Sequence, residues 1–188
     1  AWQELKSAEP KLRIRDAATK LGVSEAELLA TGLGENVIRL SQDFAAQVQT
    51  FPKLGKVMAL TRNEGCVLEH KGPFQKIEIH GEAPNQIATV IGPIEQRVFF
   101  RAWTFGFAVS NETPAGVQNS FQYFDAAGEA VMKVFLQDGA NLKAAESLVA
   151  NHTHSDQESK IEVKAYEAQS FTSKEELDLE GFTADWEG

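Results

Sequence analysis

The sequence predicts an α+β domain: a mostly antiparallel β-sheet with an N-terminal helical pair and flanking helices. Three observations predict it. Apolar residues recur at helical spacing at the start of the chain, the period shortens from Val37 onward, and Gly-Pro and Gly-bearing turns then separate short strand-like runs. With 188 residues the chain holds one domain with a substantial core, or one domain and a tail.

Residues 1–31 are expected to be helical. Leu5 and Leu12 precede Arg13–Leu21, which Gly22 terminates as a C-cap. Ser24-Glu-Ala-Glu27 is a capping box that opens the next helix through Leu28, Leu29 and Ala30. Such a pair invites a helix-turn-helix interpretation, but the second helix carries Glu25 and Glu27 and no Arg or Lys, which suits packing better than a DNA groove.

Val37–Leu40 is a strand. Asp43–Phe51 is a helix with Phe44, Val48 and Phe51 on one stripe, ended by Pro52. Val57–Leu60, Gly65–Lys71 and Phe74–His80 are strands, the last two divided by a turn at Gly72-Pro73. Gln86–Ile91 is another. Gly92-Pro93 then opens a helix with proline at its first position, running through Trp103. Thr104–Val109 returns to strand, and Asn111–Gly116 is a loop. Ser120–Phe124 and Ala130–Leu136 form a hairpin around Asp125–Gly128, with Gly128 suited to positive φ. Asn141–Ala150 is a short helix. The organisation expected is one α+β unit over residues 1–151, helical over 1–35, and a polar arm over 152–188 in which Ile161–Val163 is the one strand candidate.

Composition narrows the function. The balance of 27 acidic against 18 basic residues, net −9, argues against a broad nucleic-acid surface. No apolar run reaches the ~20 residues a membrane span needs, and the polar N-terminus does not read as a leader, so a cytoplasmic protein is expected. Cys66 has no partner in the chain, fits a reducing compartment, and is expected to be buried and inert.

The chemistry-bearing residues concentrate in Ile94–Val109. On a helix, Arg97 and Arg101 stand one turn apart among Val98, Phe99, Phe100 and Trp103. They either cover apolar surface with their stems or form the cationic rim of an aromatic pocket for a large, flat, anionic ligand. Phe99, two residues from Arg97, would then point ~200° away. His70 shares strand parity with Leu68 and Cys66, the more apolar face, and is the candidate for a buried or ligating imidazole; His80 belongs to the solvent face. Lys133 sits between Met132 and Val134, sharing a face with Val131 and Phe135. It snorkels to an edge or points its ammonium into a cavity mouth. His152-Thr-His154 lies in a loop with no third ligand at recognisable spacing.

An ordered set of segments resembles one family. Arg13–Leu29, Leu60–Glu64, Lys71-Gly72, Arg97–Val109 and Phe121–Gly128 are similar, in that order, to the HemS/HmuS haemin-degrading proteins of bacterial haem uptake, over roughly residues 10–150. Members contain two copies of this unit, and the chain resembles the N-terminal one. Phe182–Trp186 looks like the start of the inter-repeat linker. The resemblance places the family's axial histidine to haem iron just after that tryptophan, beyond Gly188, so the chain is expected to be part of a two-repeat protein.

The resemblance implies haem as cofactor, Arg97 as the distal arginine and Phe99 as a pocket-lining ring. Where many members carry a histidine this chain has Leu68, and His70, two residues on and on the same strand face, is the shifted iron-ligand candidate. Implied partners are a haem importer or haem oxygenase and a second repeat or second copy. Haem breakdown is the associated activity. A non-catalytic interaction module using the helical pair and a dimeric tetrapyrrole reductase of ChuX type are the alternatives.

Overall fold

The structure is a computed structural model that describes residues 1–158, 160–166 and 178–187. Three short helices open the chain: α1 (Trp2–Ala8), α2 (Ile14–Leu21) and α3 (Glu25–Ala30). Gly22 closes α2 in the left-handed conformation at φ 69°. The Ser24 and Glu27 side chains complete the capping box of α3, satisfying amides that the first helical turn leaves free.

Nine strands follow among the described residues. They are β1 (Val37–Leu40), β2 (Lys56–Arg62), β3 (Val67–Pro73), β4 (Lys76–His80), β5 (Ile87–Ile91), β6 (Gln96–Phe99), β7 (Phe105–Thr113), β8 (Gly116–Phe124) and β9 (Ala130–Leu136). Between β1 and β2 lie α4 (Phe44–Gln49) and a 3-10 turn at Phe51–Leu54; α5 (Leu142–His152) and α6 (Leu179–Glu187) come after β9. These strands all pair antiparallel. A six-stranded sheet runs β1-β7-β8-β9-β2-β3, and a smaller sheet runs β4-β5-β6.

Both faces of the large sheet are covered. One presents Val57, Ala59, Phe121, Tyr123, Met132 and Val134 to the small sheet's Ala88, Val90 and Val98, with Val48 and Leu148 from α4 and α5 joining the cluster. The other presents Phe105, Phe107, Val109 and Phe124 to Ala26, Leu29 and Ala30 of α3. The Asp125–Gly128 turn seats against the start of α3: Ala26 N–H donates to the Gly128 carbonyl at 3.1 Å. A Cβ added at Gly128, where φ is 79°, would lie 2.3 Å from Ser24 Oγ. After α5 the chain returns along the sheet. Thr153 bridges Leu40, Gln157 bonds both backbone groups of Arg39, and Ile161 is buried in the second cluster.

The structure corrects several expectations. Residues 92–103 are not a helix: β6 pairs with β5 from Ile87↔Phe99 to Val90↔Gln96, and Phe100–Ala102 is a single 3-10 turn. Ladder bonds with β5 outweigh the helix-starting tendency of Gly92-Pro93. The loop expected at 111–116 is the end of one long hairpin, paired out to Thr113↔Gly116. Gly72 and Pro73 lie within β3. Cys66 is exposed at the tip of the β2–β3 hairpin. Ile161–Val163 forms no ladder. The expected polar arm is helical over Leu179–Glu187, and its residues 159, 167–177 and 188 fall outside the described residues.

Candidate functional site

Where β3, at the edge of the large sheet, approaches β6, at the edge of the small one, the two sheets leave a half-open cleft of about 290 Å³. Its wall on the large sheet is Thr61, Leu68, His70, Val131 and Met132; its wall on the other side is Glu95–Phe99, Ala102 and Trp103. Register explains the first wall. Thr61 pairs with Leu68 and Ala59 with His70, and Ala59 belongs to the face that meets the small sheet, so all four side chains share it. A bulge opposite Tyr123 and Phe124 explains why the consecutive residues Val131 and Met132 both border the cleft.

The second wall depends on β6 being a strand. Gln96 and Val98 turn inward, with Val98 buried, while Arg97 and Phe99 share the outer face at the cleft. The ~200° divergence expected of a helix therefore disappears, and the arginine and the ring act on the same space. Among the described residues no carboxylate lies within ion-pair distance of Arg97. Phe99 is 49% exposed and Leu68 56% exposed, leaving large apolar surface on both sides of the mouth. Gln96 Oε1 is buried with no hydrogen-bond partner among the described residues.

Of the residues singled out by sequence, Arg97, Phe99 and His70 converge here. Arg101 and Lys133 do not. Arg101, on the 3-10 turn, is exposed and borders a different cleft with Asp43, Phe44 and Pro84. Lys133 is 6% exposed and lies on the opposite face of the large sheet, where its ammonium pairs with the buried Glu25 carboxylate of α3. Arg62 reaches the same carboxylate at 3.4 Å. Burial presses the Lys133 pKa down and Glu25 opposes that shift. Lys133 is thus neither an edge residue nor a cavity-mouth cation. His80 is exposed beside Glu78, and His154 Nδ1 accepts from the Asp156 backbone N–H at 2.9 Å. Among the described residues no cluster of three metal-ligating side chains exists. The axial histidine that the resemblance places beyond Gly188 is not a residue of this sequence, and Gly188 itself lies outside the described residues, so His70 is the one imidazole bordering the cleft among those described.

Thr61 and Gln96 border the cleft with no sequence signal pointing to them, and Val131, Met132 and Trp103 border it having been named only as neighbours of Lys133 and Arg101. For those three the available signal was proximity in sequence to Lys133 and Arg101; that Val131 and Met132 both face the cleft comes from the bulge, which leaves no local trace.

A cleft between the edges of two antiparallel sheets, lined by a guanidinium with no carboxylate partner among the described residues, one imidazole and exposed apolar walls, has the make-up of a small-molecule site in an α+β domain. Residues 22–152 match the haemin-degrading HemS/ChuX domain, and the chain belongs to that family. It is 33% identical over 151 residues to the hemin transport protein HmuS of Yersinia pestis, covering 79% of this chain and 43% of that protein. It superposes on holo-PhuS, a heme-binding protein from Pseudomonas aeruginosa, with a TM-score of 0.87 at 38% identity, covering 98% of this chain and 54% of that one. The heme-degrading enzyme ChuS of Escherichia coli O157:H7 gives 0.78 at 27% identity, covering 90% of this chain and 50% of that one. The chain therefore spans about half the length of these relatives. ChuX, at 18% identity and a TM-score of 0.64, shares the fold over 80% of this chain and 97% of its own. No described helix is long and apolar enough to cross a membrane.

Proposed function

We infer that the cleft between β3 and β6 binds haem, and that the chain's role is to hold and hand over imported haemin, with haem breakdown as the family's associated activity. The observation that carries this is the shared face of Arg97 and Phe99. A guanidinium with no carboxylate partner among the described residues and a half-exposed ring share one face of one strand and border the same cleft as His70.

The residues fit a porphyrin in kind. Phe99, Leu68 and Met132 offer apolar contact to a flat ring; the exposed ring and leucine extend that surface beyond the half-open 290 Å³. Arg97 donates hydrogen bonds to an anionic or oxygen group of the ligand, the role that the distal arginine position implies. His70 supplies an imidazole that can ligate through whichever ring nitrogen is unprotonated. Bound haem supplies iron-centred redox chemistry; the chain's part is to orient it and exclude water. Arg101 and Lys133 have no part in the site.

The half-open cleft and the half-length match together support completion of the site by a second repeat or a second copy. The cellular setting proposed is the cytoplasm, with a haem importer as donor or a haem oxygenase as acceptor. A haemin titration followed in the Soret region tests the assignment: wild type gives a saturable shifted band, and Arg97→Ala changes its position or weakens binding. A titration identical in the two proteins overturns the pocket assignment.

A further inference from the structure

We propose that Trp103 is an oxidative modification site of the cleft, the side chain that takes up oxygen when peroxide is activated by haem bound there. This rests on the haem-binding reading above. Trp103 borders the cleft yet is only 7% exposed, because an aromatic cluster encloses its ring. Tyr123 stacks on it at 4.3 Å between centroids, and Phe44 and Phe100 meet it edge-on at 5.6 and 5.5 Å. Indole and phenol are among the side chains most readily oxidised by one electron, and this stack reaches the cleft through Trp103.

The structure also decides which ring keeps the oxidising equivalent. Oxidising a phenol requires its proton to leave. The Tyr123 hydroxyl is buried with no hydrogen-bond partner among the described residues, and burial pushes its pKa far up. With no base to take that proton, the equivalent stays on Trp103. Trp103 also borders the second, solvent-open cleft beside Arg101 and Thr104, which gives water access to its ring. The step balances as indole plus hydrogen peroxide giving hydroxyindole plus water. The O–O bond breaks, one oxygen replaces a ring hydrogen, and the displaced hydrogen leaves in the water; two electrons pass from indole to peroxide.

The other two tryptophans serve as internal controls. Trp186 is 81% exposed and Trp2 is partly exposed, so peroxide from bulk solution reaches them before Trp103. The experiment treats the chain with excess hydrogen peroxide, with and without one equivalent of haemin. It records the Soret band, then locates added oxygen by peptide mass spectrometry. With haemin, Trp103 is expected to gain oxygen several-fold more than Trp2 or Trp186; without haemin the order reverses. Tyr123→Phe, which keeps the stack and removes only the hydroxyl, leaves Trp103 oxidation unchanged. A normal Soret shift with Trp103 unmodified, or loss of its modification in Tyr123→Phe, overturns this proposal alone. Absence of any Soret shift overturns the haem-binding reading and this proposal with it.

Discussion

Replacing Phe99 with alanine separates ligand contact from fold stability more cleanly than any other change at the cleft. The ring is 49% exposed, so about half of it still faces solvent in the free chain. An aromatic side chain presents roughly 200 Å², and a flat ligand lying on the open half would cover roughly 100 Å². At ~25 cal/mol per Å² that contact is worth at most about 2.5 kcal/mol, or a rise of up to roughly 60-fold in Kd on its removal. Stability should suffer far less. A fully buried Phe→Ala costs about 3–5 kcal/mol, whereas a ring half in water, with room to collapse around it, should cost roughly 1–2 kcal/mol. Haemin titration gives the affinity, and urea denaturation of the ligand-free chain gives the stability. Arg101→Ala is the matched control, since it borders the other cleft and should leave Kd unchanged. If Phe99→Ala binds within about twofold of wild type, or Arg101→Ala weakens binding as much as Phe99→Ala does, the assignment of the ligand face is wrong.

Two further outcomes follow from the opposite face and the alkaline range. Glu25→Ala strands Lys133 and Arg62 beside a vacated buried carboxylate position and should destabilise by about 3–5 kcal/mol, whereas the double change Glu25→Leu with Lys133→Met should recover most of it; equal losses in single and double variants in denaturant unfolding would refute this. The two tyrosines should both resist ionisation, Tyr123 because burial pushes its pKa far up, and Tyr166 because its hydrogen bond to Asp125 raises it to about 12. A raised pKa means that the Tyr166–Asp125 contact contributes fully below the ordinary value near 10 and is lost as pH rises through about 12. Ultraviolet titration should therefore show almost no tyrosinate at pH ~10 and only about a tenth of one tyrosine by pH ~11, and Tyr166→Phe should remove the step near 12.

Local chemistry was the most legible part of the sequence. Gly22, the Ser24–Glu27 capping box and Gly128 each announced its backbone role, because caps and left-handed turns depend on residues next to one another. That Gly128 sits against Ser24, joining a hairpin turn to a helix start, depends on long-range packing and left no local trace. Residues 92–103 read wrongly because Gly-Pro favours a helix opening, while the ladder with β5 that overrides it lies several residues upstream. The error changed the site's geometry: as a strand, β6 brings Arg97 and Phe99 together and sends Arg101 elsewhere. Lys133 failed for another reason. The large sheet is covered on both faces, so Ala130–Leu136 is apolar on both parities, and alternation alone could not assign the lysine to the helical side or the cleft side. His70 lies on the cleft wall with Leu68 because the parity of the two residues survives in β3.

Amide NMR with ferric haemin as a paramagnetic probe tests the β3–β6 site most directly, because it reports position rather than affinity. Adding one equivalent should broaden the signals of Leu68, His70, Arg97 and Phe99 first, leaving those of α3 around Glu25, behind the large sheet, sharp. Broadening centred on the Glu25–Lys133 face, or spread evenly over the chain, would contradict the account.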